Sequence, residues 1–184
     1  MGQRLAWPLR PLPDGRGEVW RWDLATVAEL PAARAALRTR LGGVGFPEDR
    51  EDTAGERLVL AFDELASNAL RHGSTPVVAT VVAGSGGWLL DVSDRDPETM
   101  PAPAVDRDPA QGGLGLHLVA RLAVAHGWYV DGGTKHVWAC LPTTVEDRQP
   151  AMASERRDPR CRRAAGVAAV LRASYNTRER APLP

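Results

Sequence analysis

The order of elements legible in the chain predicts an α/β fold, a two-layer α/β sandwich whose sheet is mixed, mostly antiparallel, with helices on one face. Two pairs of β-rich runs are each joined by a glycine-rich link too short for a crossover, so each pair must be antiparallel. Two helical patterns precede the first pair and one separates the pairs, so the helices must cover one face of a shared sheet.

Residues 1–17, with Pro8, Pro11, Pro13, Gly15 and Gly17, show no periodicity and read as a flexible lead-in. Glu18 to Leu24 alternates imperfectly and reads as an edge strand. Pro31 suits a first helical position and Gly42 and Gly43 a stop, which bounds a helix near 31–41. Thr53 and Glu56 have capping-box spacing, and Gly73 is placed to close the longer helix they open. The runs 77–83 and 88–94 make a hairpin across Gly84 to Gly87. Residues 95–112, with four prolines and no periodicity, read as a long surface loop, a kind that is uncommon inside a domain unless it binds something or is disordered. Gly113 to His126 is apolar nearly all round, as in a helix packed between other elements. A closing hairpin of 128–131 and 136–141 turns at Gly132 and Gly133, and Pro142 ends it. A folded body of 18–142 is therefore expected, followed by a basic, mostly disordered tail at 143–184.

Composition narrows the function classes. Residues 1–142 carry 14 basic and 18 acidic groups, which disfavours a nucleic-acid-binding body, while the tail carries 9 and 5. Cys140 and Cys161 are too few for a disulfide framework or a cysteine zinc site. No apolar run reaches the roughly 18 residues of a membrane span, and the N-terminus lacks the apolar core of a secretory signal. A cytoplasmic protein without membrane contact is expected.

Three features carry candidate chemistry. In the second helix Leu58, Ala61, Phe62, Leu65 and Ala69 form a buried stripe, and Glu64, Asn68 and His72 follow beside it at steps of four. A carboxylate and a carboxamide one turn apart suit proton acceptance and coordination of a hard cation such as Mg²⁺, although spacing alone favours a solvated helix face. Along 88–94, Trp88, Leu90 and Val92 share a face with Asp94, which delivers a carboxylate to the layer where the helices pack. It needs a donor there, and either a purine amine or a backbone N–H of the following loop would serve. Gly112, Gly113 and Gly115 precede a helix, whose free N–H groups accommodate phosphate, although such glycines also end loops that merely bend.

Together, ELASNALRHG from Glu64, VSDRDP from Val92, GGLGLHLVARLA from Gly112 and GGTKHVWACLP from Gly132 resemble the ATP-binding domain shared by gyrase B type ATPases and histidine kinases. The likeness is closest to the short branch of anti-sigma factor serine/threonine kinases and their actinobacterial relatives, and it covers roughly Trp20 to Pro142. It implies a Bergerat-type ATP-binding fold with ATP and Mg²⁺ as cofactors. By the same resemblance Glu64 is the general base, Asn68 the Mg²⁺ ligand and Asp94 the adenine reader. Gly113, Leu114 and Gly115 line the triphosphate under a lid, and His72 and Lys135 complete the nucleotide-contacting set. The implied activity is transfer of the γ-phosphoryl group to a Ser or Thr of a partner, regulating transcription through a sigma factor pathway. The implied partners are a STAS-type anti-anti-sigma factor, a sigma factor or both, and a homodimer is left open.

Two departures stand beside this. Asp96 and Glu98 fill positions where relatives carry glycine, which puts two acids where ATP is expected. Lys135, the single lysine against 22 arginines, precedes His136 where relatives place Thr, and it reads either as a phosphate contact or as a solvent-facing turn residue. His72, His117 and His126 lack metal-ligand spacing and, on the residues alone, read as boundary or core histidines. The alternative function is a degenerate, non-catalytic module that docks a partner. A sensor histidine kinase would need a phospho-accepting helical hairpin, and a gyrase-like ATPase a transducing domain. A chain ending at Pro142 should unfold cooperatively with a melting temperature close to that of the full chain; a large fall in differential scanning calorimetry would show that the body extends further.

Overall fold

Among the described residues, five strands form one open antiparallel sheet in the order β1-β2-β3-β5-β4. They are β1 (Glu18–Leu24), β2 (Val77–Gly84), β3 (Gly87–Asp94), β4 (Ala125–Asp131) and β5 (Thr134–Pro142). Three helices, α1 (Leu30–Gly42), α2 (Glu48–His72) and α3 (Gly115–Leu122), complete the second layer. The computed structural model describes residues 7–43, 48–84, 87–101 and 115–143, and of 48–53 the backbone alone.

Strand alternation sorts the side chains into two faces. Trp20, Val77, Val81, Leu90, Val92, Ala139 and Leu141 point to the helices and are buried in the main core. From α2 the stripe of Leu58, Ala61, Phe62, Leu65 and Ala69 meets them, each at most 5% exposed. Phe62 lies edge-on to Trp22 at 5.1 Å. α1 is fastened to α2 by Arg34 on Asp63 at 2.7 Å and by the two-pronged contact of Arg38 with Glu56.

Three boundaries differ from the sequence reading. α2 begins at Glu48, so Thr53 lies inside the helix and opens nothing; the acids Glu48, Asp49, Glu51 and Asp52 suit the first turns through the helix dipole. α3 ends at Leu122, and Ala125 and His126 belong to β4. The Val124 N–H already donates to the Cys140 carbonyl at 2.9 Å, and that pairing overrides the helical pattern of the local sequence. The segment expected to be an unstructured lead-in is also part of the fold from Trp7 on. Leu9 bridges Trp128 in parallel, with Arg10 N–H on the Trp128 carbonyl and Trp128 N–H on the Pro8 carbonyl. This strap covers the free edge of β4, which would otherwise present unpaired backbone groups. Beyond residue 101, the loop expected over 95–112 lies outside the described residues, as does the tail from 144.

The face turned away from the helices is also buried. Val82, Leu89, Trp138 and Cys140 form a second apolar cluster to which Leu12 of the strap adds. Trp138 Nε1 donates to the Arg10 carbonyl at 3.0 Å. Beside it His136 Nδ1 lies 2.9 Å from the Asp91 carboxylate and its ring stacks on Tyr129. Burial pulls the His136 pKa down, and the carboxylates of Asp91, Asp131 and Asp94 together push it up by more, so it sits above the ordinary histidine value. The turn between β4 and β5 has Gly132 at φ +56° and Gly133 at +76°, the left-handed pair that a two-residue hairpin link demands. Among the described residues no helix is long and apolar enough to cross a membrane.

Trp7 is the anchor of the strap. It is 5% exposed, its Nε1 donates to the Leu116 carbonyl at 3.2 Å, and its ring meets His126 edge-on at 4.8 Å. Trp7→Ala should cost about 3–5 kcal/mol in urea unfolding of the full chain; an unchanged midpoint would mean that the strap is no part of the cooperative unit.

Candidate functional site

α2 carries the polar stripe along its core-facing border. Glu64 and Asn68 are half-buried and His72, at the end of the helix, is exposed. Burial raises the Glu64 pKa above the ordinary carboxylate range, the neighbouring Asp63 adds to the rise, and Arg71 partly opposes it. A proton acceptor poised in this way is better matched to neutral pH than a solvated carboxylate.

The Glu64 carboxylate lies against Gly115, the first residue of α3, so closely that a Cβ built there would overlap it. The opening N–H groups of a helix have no partner within it and carry partial positive charge. Gly115 therefore lets an anion and a helix N-terminus approach without a side chain between them. Gly113 and Leu114 lie outside the described residues.

At the C-terminal end of α2 a second acid meets a second glycine. Asp94, 1% exposed at the end of β3, packs its carboxyl group on Gly73, where a Cβ would stand 2.6 Å from Oδ2. The Gly73 N–H donates to the Ala69 carbonyl at 2.8 Å, so the chain is still wound as helix as it reaches Asp94. From Glu64 to Gly73 the helical rise spans about 13 Å. The site is thus elongated, with a carboxylate and a bare glycine backbone at each end.

Among the described residues Asp94 has two donors. The Asp96 N–H reaches Oδ1 at 2.8 Å and the Lys135 ammonium reaches Oδ2 at 3.2 Å. The backbone donor is one of the two the sequence left open. The lysine corrects the reading of a solvent-facing turn residue: Lys135 is 5% exposed and directly opposite Asp94 in the β3–β5 register. Asp96 does not point its acid at Asp94. Its Oδ1 accepts the N–H groups of Glu98 and Thr99, and bonding with Thr99 chiefly holds its pKa low, with Lys135 contributing. Glu98 is exposed.

Sequence reasoning missed the packing of Gly73 on Asp94 and the Asp94–Lys135 pair. Strand alternation held the signal for the pair, since Lys135 has the parity of Val137, Ala139 and Leu141, all directed to the helices. Among the described residues no three or more His, Cys, Asp or Glu side chains converge as a metal cluster. Asn68, one turn beyond Glu64, is the hard oxygen donor that the stripe offers to a cation.

A model of the histidine kinase-like ATPase domain matches residues 24–141, which contains both ends of this site. Among solved structures, the histidine kinase AdeS of Acinetobacter baumannii aligns over 70% of this chain and 69% of its own, at 17% identity and a TM-score of 0.35. No curated protein sequence matches.

Because its pKa is raised, Glu64 favours folding where it is protonated in both states, below the ordinary carboxylate range, and that contribution is lost as pH rises through the raised value. Glu64→Gln should therefore melt with the wild type near about pH 4 and above it at neutral pH; parallel melting curves across the range would show that the carboxylate is not desolvated.

Proposed function

The chain belongs to the histidine kinase-like ATPase domain family, and on that premise we propose that it binds Mg-ATP along α2 and transfers the γ-phosphoryl group to a Ser or Thr hydroxyl of a partner protein. The observation that carries this reading is the elongated site itself. Asp94 at one end is an acceptor suited to an exocyclic amine, and Glu64 with the α3 N-terminus at the other is suited to a phosphate and a hydroxyl proton.

The residues fit the nucleotide on this geometry. Gly73 and Gly115 let the Asp94 and Glu64 carboxyl groups pack on bare backbone at the two ends, and the Asp96 side chain is drawn into its own turn and away from Asp94. Asn68 would hold Mg²⁺, which when bound supplies charge neutralisation of the phosphates. Glu64 accepts the hydroxyl proton of the acceptor, aided by the desolvation that raises its basicity. The N–H groups at the start of α3 orient the phosphate oxygens, for which the Glu64 carboxylate must give way. His72, exposed beyond Asn68, flanks the same groove. Partners of the sigma factor pathway, a STAS-type anti-anti-sigma factor and a sigma factor, are part of this proposal and rest on the resemblance of the motifs.

One observation favours a second reading, a non-catalytic docking module. Asp94 is satisfied within the chain by Lys135 and Asp96, so this end of the site needs no nucleotide to be stable. Incubation of the full chain with γ-labelled ATP, Mg²⁺ and a purified STAS-domain protein separates the two. Kinase function predicts labelling of a Ser or Thr that falls by about 10²-fold or more in Glu64→Ala; equal labelling by wild type and variant, or none, would leave the docking reading.

A further inference from the structure

Of its 23 basic residues the chain uses lysine once, and that lysine is buried against the carboxylate at the base end of the site. Resting on the nucleotide reading above, we propose that Lys135 is a specificity-determining residue: it makes Asp94 an acceptor only and leaves it open to a purine amine, so the site selects 6-amino over 6-oxo purine triphosphates.

Lys135 stands directly across from Asp94 in the β3–β5 ladder, with 5% and 1% of their surfaces exposed. A carboxylate buried to this degree without a counter-charge is driven to its neutral form, and a neutral carboxyl group donates as well as accepts. Such a group would bond the carbonyl of a 6-oxo purine as readily as the amine of adenine. Paired with an ammonium it presents lone pairs only, and a 6-oxo purine then sets oxygen against oxygen. Rejection of a ligand that leaves buried polar groups unpaired is where binding sites discriminate most strongly.

The geometry also accounts for lysine in a chain that otherwise uses arginine. The ammonium engages Oδ2 alone while the Asp96 N–H holds Oδ1. A carboxylate has about four lone-pair sites, more than these two donors occupy. Arginine at 135 would bring a planar fork that takes both oxygens in parallel, closing the carboxylate to the base. Gly73 lets the Asp94 carboxyl group pack on bare backbone, because a Cβ there would stand 2.6 Å from Oδ2.

A single lysine gives a single side-chain signal, which permits a test that does not depend on turnover. The full chain labelled with ¹⁵N,¹³C-lysine is titrated with Mg-ATP and with Mg-ITP, its 6-oxo analogue, while calorimetry follows binding of each. The expected result is a saturable shift of the Lys135 ε-signal with ATP and binding of ITP weaker by at least about tenfold. Lys135→Met should narrow that ratio to within about threefold. Lys135→Gln, which removes the charge but keeps a polar side chain for the Asp94 carboxyl group, should also narrow it and guards against misfolding of the methionine variant. Lys135→Arg should weaken ATP binding although the charge is kept. If ATP binds but the lysine signal stays still, or both uncharged variants at 135 keep the full ratio, the proposal is overturned and the nucleotide reading stands. If the wild type binds neither nucleotide, both fall.

Discussion

A carboxylate held almost wholly out of water at the end of β3 is the constraint on which the site depends. Asp94 can be buried there because three neighbours make room and charge for it. Lys135 lies opposite in the next strand, the Asp96 N–H turns back from the following loop, and Gly73 offers no side chain. Each comes from a different element, so β3, β5, the 95–99 turn and the end of α2 are fixed relative to one another by one acid. Burying such a charge is costly unless it is both paired and hydrogen-bonded, and the cost falls on any change that loosens these contacts.

The rest of the site follows from the position of α2. Its apolar stripe sits on the sheet, which leaves Glu64 on the border of the core against the first residue of α3. The same helix that ends on Asp94 carries Glu64, so the separation of the two acids is set by helix geometry rather than by loop conformation. Rigid elements hold side chains with more accuracy than loops do, and here both acids are carried by regular structure. The strap from Trp7 to Leu12 extends this framework, since it joins β4 and also bonds to α3 at Leu116.

Much of this was legible in the sequence, for identifiable reasons. The hairpins and the core face of α2 follow from local periodicity and turn chemistry, and β3 alternation alone put Asp94 toward the helices. What escaped depended on contacts between residues far apart in the chain. Thr53 and Glu56 have the spacing of a cap, but a run of acids before them extends the helix, and no local rule ranks one signal over the other. Ala125 and His126 continue a helical pattern until backbone pairing with β5 takes them. The strap has no periodicity because it forms a few bonds along an edge and buries one indole. The Asp94–Lys135 pair requires the β3–β5 register, which only the assembled sheet supplies.

The central claim is that Asp94 and the groove along α2 form an adenine nucleotide site. Calorimetric titration of ATP, with and without Mg²⁺, into the wild type and into Asp94→Asn tests it most directly. The account predicts micromolar binding, corresponding to about 8 kcal/mol, that is lost or greatly weakened in the variant. Absence of binding at millimolar ATP, or equal binding by the two proteins, would contradict it.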